Sequence, residues 1–178
     1  RPEQIAHHFT AAANYETAID WWIKAGSHAL EQSASVEAIE HAKKGLNLLQ
    51  YVSDSERNRR RELYLQMTLG PVLTATKGYA APEVENAYQR AYELCKTVGV
   101  GEDLFPVLWG FYAFSVVRSE FLEALDAATQ MLDIADKLQD ESMQIESHQA
   151  LGLINYFMGQ PKLAQNHIHK VLELDSGE

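Results

Sequence analysis

Apolar residues recur three and four positions apart along nearly the whole chain, and no stretch alternates with period two. That spacing lines one face of an α-helix at a time, so the pattern predicts an all-helical protein without strands. Small, polar or glycine residues interrupt it at Ala13–Asn14, Ser33–Ser35, Ser53–Ser55, Gly78–Ala81, Gly99–Gly101, Arg118–Glu120, Gln139–Glu141 and Gly159–Gln160. These residue types leave or cap helices easily. Nine helices result, over residues 3–12, 15–33, 36–51, 56–76, 82–97, 103–117, 121–138, 141–158 and 161–174. The breaks are short, which forces successive helices to lie antiparallel as hairpins.

The hairpins share a register. Gly26 precedes Ala38 by twelve residues, Tyr112 precedes Ala124 by twelve, and Gly152 precedes Ala164 by twelve. Gly70 reaches Ala87 only after five further residues, within TKGYAAPE. A glycine inside a helix costs about 1 kcal/mol relative to alanine, so Gly26, Gly70 and Gly152 at matched places imply an offsetting gain. Close packing supplies one. With no side chain on one helix and only a methyl on its partner, the axes approach toward the lower part of the usual range of about 8–10 Å. Gly26, Ala38, Gly70, Ala87, Ala124, Gly152 and Ala164 are therefore the expected helix-packing contacts.

Around the first residue of each pair a loose motif holds: Trp22-x-x-Ala25-Gly26-x-x-Ala29, Gln66-x-x-Leu69-Gly70-x-x-Leu73, Leu108-x-x-Phe111-Tyr112-x-x-Ser115 and His148-x-x-Leu151-Gly152-x-x-Asn155. With the alanine that follows, these resemble the tetratricopeptide repeat, W-x2-L-G-x2-Y then A-x3-F. The alanines at 38, 87, 124 and 164 are separated by 49, 37 and 40 residues, longer than the repeat's usual period of about 34. The resemblance implies one all-α domain over residues 1–178, with about four hairpins and an N-terminal helix stacked as a right-handed α-solenoid. It further implies a concave face lined by the first helices. The inward positions would be Ile23, Ser27 and Leu30, then Tyr64, Met67 and Pro71, then Trp109, Ala113 and Val116, then Gln149, Leu153, Tyr156 and Phe157.

Composition narrows the class of partner. Fifteen basic against twenty-five acidic residues give a formal charge of -10, which repels a phosphate backbone and disfavours nucleic acid. No window approaches the roughly 18 unbroken apolar residues of a membrane span. The single cysteine, Cys95, has no internal partner for a disulfide, as expected in the cytoplasm. An opening on Arg1-Pro2 without methionine is the expectation for a fragment of a longer chain.

Candidate chemistry is sparse. GPVLTATKG, residues 70–78, superficially resembles a phosphate loop, but Thr76 stands where the second glycine is needed and no hydroxyl residue follows Lys77. His7-His8 are adjacent and His167-x-His169 sit two apart, so neither pair shares a helix face as an i, i+4 pair of metal ligands would. Neither a nucleophile turn nor a cysteine signature occurs, so no catalytic centre, metal or cofactor is expected. Arg57 and Arg59 to Arg61 form the one basic run. It reads as a solvated face compensated by Glu56 and Glu62, with docking of an acidic neighbour as the alternative.

HFTAAANYETAIDWWIKAGSHAL, LGPVLTATKGYAAPEVENAYQRAYELC and LFPVLWGFYAFSVV also resemble the C-terminal repeat region of bacterial signalling proteins that join a class III adenylate or guanylate cyclase domain to a signal-transduction ATPase. That resemblance implies a non-catalytic regulatory module. Its partner would be a protein, a peptide or upstream domains of the same polypeptide. A homodimer through end helices and a small-molecule sensor segment, as in ATPase-type transcription activators, are the other expectations.

Overall fold

The computed structural model describes residues 1–98 and 104–176. Among these, the chain forms nine α-helices and no strand: α1 Pro2–Ala11, α2 Tyr15–Glu31, α3 Ser35–Leu48, α4 Glu56–Lys77, α5 Pro82–Cys95, α6 Phe105–Val117, α7 Phe121–Leu138, α8 Glu141–Phe157 and α9 Pro161–Ser176. The expected break at Gly99–Gly101 and the helix start at residue 103 lie outside the described residues. One helix differs in kind from its expected span. The segment expected as 36–51 is α-helical only to Leu48 and closes with a 3-10 turn, Leu49–Tyr51. There the ring of Tyr51 stacks on Tyr15 at 4.8 Å. Ser55 then caps α4 by accepting from the Asn58 amide at 3.2 Å, which satisfies one of the donors a helix start leaves open.

The turns repeat as the register does. Ser33, Ser119 and Gly159, each five residues before its contact alanine, adopt left-handed φ of 56°, 62° and 73°. In each, the amide of the next residue donates to the carbonyl five back: Ala34 to Ala29 at 2.8 Å, Glu120 to Ser115 at 2.9 Å, Gln160 to Asn155 at 2.9 Å. This is the Schellman closure, which pairs carbonyls that a helix end would leave unsatisfied. The same closure, five residues before the alanine each time, brings Ala38, Ala124 and Ala164 to buried positions. The α4–α5 turn is the exception. Here α4 runs through Pro71, which lies on its exposed side, to a C-cap at Gly78 with φ 82°.

Two compact units divide the chain, Arg1–Gly99 and Val100–Glu178. In the first, α1 packs on α2, α2 on α3, α3 on α4, α4 on α5, and α2 lies beside α4. Trp22 is its largest fully buried side chain; its indole donates to the Thr10 hydroxyl at 3.2 Å, and His7 and His41 pack on its ring. In the second, α6, α7, α8 and α9 pack in succession, with Phe114, Leu108, Met131 and Ile154 fully buried.

The seven small residues of the register are all buried. A Cβ built on Gly26 would sit 3.3 Å from the Thr68 methyl of α4 and 4.0 Å from the Ala38 carbonyl. One built on Gly152 would sit 3.6 Å from the Ala164 carbonyl, and one on Gly70 only 3.0 Å from the ring of Tyr88. The tightest approach lies outside the register, at Gly45 of α3, where a Cβ would fall 2.7 Å from a Leu65 methyl.

Candidate functional site

In the first unit α2 and α4 present neighbouring faces. The residues that hold them together are Arg61, Asp20 and Glu16. Arg61 is 4% exposed. Its guanidinium donates to both Asp20 oxygens at 2.7 Å, to Glu16 at 3.2 Å and to Asn58 Oδ1 at 2.6 Å. The fork-to-fork geometry with Asp20 is the strong, directional kind of ion pair, and those hydrogen bonds hold the Arg61 pKa above its ordinary value. The arginine run is thus not a solvated face balanced by Glu56 and Glu62. Arg61 turns inward because the helical repeat points it at α2, and Glu62 pairs instead with Arg90 of α5 at 2.6 Å. Arg60 does lie 3.5 Å from Glu56, and Arg59 reaches Asp54 at 2.7 Å.

Above that clamp a cavity of about 430 Å³ opens between α2 and α4, lined by Ile23 and Tyr64 with Lys24, Arg57 and Arg60 around them. Ile23 and Tyr64, 41 residues apart in sequence, are therefore brought to one place. Ser27, Leu30 and Pro71 are exposed and Met67 half-buried on the same two helices, outside this cavity.

In the second unit the corresponding pair is α6 and α8. Tyr112, buried on α6, donates its hydroxyl to the Ala150 carbonyl of α8 at 3.1 Å, and burial pushes its pKa up to about 12. Beside it Trp109 is 40% exposed; its indole donates to Glu146 at 3.0 Å and its ring meets Tyr112 edge-on at 5.4 Å. Gln149 and Leu153 are exposed on α8, Tyr156 most of all at 67%, and Ala113 and Val116 are half-buried on α6. Phe157 is exposed too, yet its ring stacks on Phe121 at 5.8 Å, so it covers the α6–α7 turn as well as facing solvent.

These helices have counterparts among solved structures. The crystal structure of the APC/C hetero-tetramer Cut9-Hcn1 contains a chain that matches with a TM-score of 0.61 at 20% identity, over 97% of this chain and 33% of that one. The chain thus spans a third of the length of the protein it matches. No protein-family model matches the sequence, and no curated protein does. The likeness shows a fold: all-α, antiparallel hairpins of tetratricopeptide type, an α-solenoid class.

Two features escaped the sequence. A depression of about 700 Å³, lined by α3, α4 and α5 residues such as Lys43, Leu46, Gln66 and Arg90, contains none of the expected groove positions. His148 of α8 and His167 of α9 meet with their Nδ1 atoms 3.0 Å apart. Burial lowers both pKa values, and for His148 the neighbouring His167 lowers it further. Both shifts favour the neutral rings, in which one Nδ1–H donates to the other Nδ1. Among the described residues no three His, Cys, Asp or Glu side chains gather as a metal site, Cys95 is buried, and no helix is long and apolar enough to cross a membrane.

Proposed function

We propose that the chain is a non-catalytic protein-interaction module acting over residues 1–178. Its binding surfaces are the α2/α4 face of the first unit and the α6/α8 face of the second. The observation that supports this is the exposure of large apolar side chains on the first helices of the hairpins: Leu30, Tyr64, Trp109, Leu153 and Tyr156. The second helices bury alanines at their contacts and expose aliphatic side chains, Val36, Leu122, Leu138, Leu163, Ile168 and Leu172, so among the described residues the exposed Phe, Tyr and Trp rings of the hairpin helices are all on the first helices. Aromatic side chains held on rigid helices, with ring atoms in contact and tips in water, are the usual anchors of a binding surface. The residues assigned to contact the partner are Ile23, Ser27, Leu30, Tyr64, Met67, Trp109, Ala113, Gln149, Tyr156 and Phe157. The partner is a peptide or a folded domain.

In its fuller form the proposal places this module in a cytoplasmic bacterial signalling polypeptide of the cyclase–ATPase kind, where upstream domains are the partner. Peptide display against the full chain provides the first test. Tyr64→Ala and Tyr156→Ala should each weaken a selected ligand by about tenfold or more, as loss of an aromatic anchor does, while the melting temperature stays within about 2 °C. A ligand that binds both variants like the wild type refutes the assignment of these faces. In an intact polypeptide the same variants should change the regulation of the upstream activity without changing its unregulated rate.

A further inference from the structure

Three hairpins carry alanine one turn beyond the contact alanine: Ala42, Ala91 and Ala128, each 0% exposed. The matched residue in α9 is Ile168, 46% exposed. The difference has a visible effect. Beside Gly26 the space is filled by Thr68 of the next helix, α4, 3.3 Å from a Cβ built there; beside Gly152 the same space is filled from within the hairpin, by Ile168 Cδ1 at 3.2 Å. On α8–α9 the isoleucine thus occupies the depth that α4 occupies on α2–α3. What stands there instead is a raised apolar ridge, Ile168 and, one turn on, Leu172, both exposed.

The ridge has an ordered charge pattern along one edge. Lys162, His169 and Glu173 are all exposed, and at about 100° per residue they project within about 40° of one another on the Leu172 side of the helix. Lys162 and Glu173 stand at nearly equal distances from Ile168 in opposite directions along the axis. Glu173 is bonded to Lys170 at 2.6 Å within the same helix, an exposed pair that contributes little and can exchange partners.

We propose that this ridge is a self-association surface, on which α9 pairs antiparallel with α9 of a second copy about a two-fold axis at Ile168. A two-fold contact presents each surface to itself with direction reversed. Lys162 of one copy then comes opposite Glu173 of the other on the same edge, twice, while Ile168 and Leu172 of both copies meet at the centre. A parallel two-fold pairing would put this edge of the two copies on opposite sides of the contact, leaving Lys162 and Glu173 without each other, so only the antiparallel arrangement pairs the charges. The contact is a single helix on a single helix, which places it among small, reversible interfaces.

Sedimentation velocity of the full chain across about a hundredfold dilution tests this, because a dimer's population follows concentration. The expected result is a reversible shift between monomer and dimer mass. Leu172→Glu should raise the dissociation constant at least about tenfold, and Lys162→Glu should raise it by a smaller factor. The double change Lys162→Glu with Glu173→Lys should restore it to within about threefold of the wild type. Circular dichroism confirms that each variant is folded; where Leu172→Glu loses helix, Leu172→Ser gives the same readout with less perturbation. A monomer at every concentration overturns the proposal. So does a dimer indifferent to both Leu172 variants, or a charge-swapped pair that fails to restore association.

Discussion

The glycines at close contacts provide a test in which one substitution, glycine to alanine, should change sign according to what stands opposite. In every case the helix gains about 1 kcal/mol of intrinsic propensity, so the outcome depends on the cost of fitting one methyl. At Gly45 that methyl would fall 2.7 and 3.0 Å from the two Leu65 methyls and 3.3 Å from Trp22 Cβ. Leu65 and Trp22 are both fully buried, at 0% and 1% exposure, so neither can yield by turning into solvent. Overpacking costs about 1–3 kcal/mol; a contact as short as 2.7 Å belongs to the upper part of that range, about 2–3 kcal/mol, leaving Gly45→Ala less stable by about 1–2 kcal/mol. At Gly70 the methyl would meet three carbons of the rigid, buried Tyr88 ring at 3.0–3.2 Å, for a smaller net loss. Gly26→Ala meets only the Thr68 methyl at 3.3 Å and should be near neutral. Gly152→Ala meets the tip of the half-exposed Ile168, which swings aside, so stability should rise by up to about 1 kcal/mol. Urea midpoints at constant m measure the series, with Trp22 reporting the first unit and Trp109 the second. A Gly45→Ala protein as stable as the wild type, or four variants with the same sign, would refute the reasoning that contact depth sets the choice of glycine.

Three further outcomes follow from single side chains. Arg61→Ala removes the clamp between α2 and α4 and should cost about 2 kcal/mol, less than a fully buried pair because Asp20 and Glu16 are exposed enough to rehydrate; a double-mutant cycle with Asp20→Ala should show coupling of about 1 kcal/mol, and additive effects would contradict the clamp. The His148 and His167 pKa values are depressed in the fold, so the unfolded chain binds protons first on acidification; stability should therefore be highest above about pH 7 and decline as pH falls through about 6.5 and below. His167→Gln should flatten that part of the urea-midpoint profile, and an unchanged slope would count against the pair. Ser115 buries a hydroxyl with no hydrogen-bond partner among the described residues, so Ser115→Ala should raise stability by about 1 kcal/mol, read from the same urea midpoints; a loss would reveal a partner for that oxygen.

Helix positions were legible because a 3.6-residue period persists through nearly every segment, and because the interruptions hold small, polar or glycine residues that leave or cap helices easily. What the period conceals is anything that depends on two segments far apart. Leu46, Leu48, Leu49 and Val52 keep the apolar spacing going, so nothing local marks the change to a 3-10 turn at Leu49, where Tyr51 stacks on Tyr15, 36 residues away. The inward turn of Arg61 depends on Asp20, 41 residues away, and a run of four arginines beside two glutamates gives no sign of which one is buried. For the histidines a signal did exist, but only in the register. His148 and His167 occupy the places that Trp22 and His41 hold in the first hairpin, where those two rings are also in contact at 5.3 Å. A pair that looks unrelated at 19 residues' separation is therefore one repeated contact with its large ring replaced. The same alignment isolates Ile168, since only a comparison of matched positions shows an isoleucine where three hairpins bury alanine. In a chain built of repeats, the informative residue is the one that departs from its own counterparts, because packing that recurs leaves each position a size it must keep unless its neighbour is of a different kind.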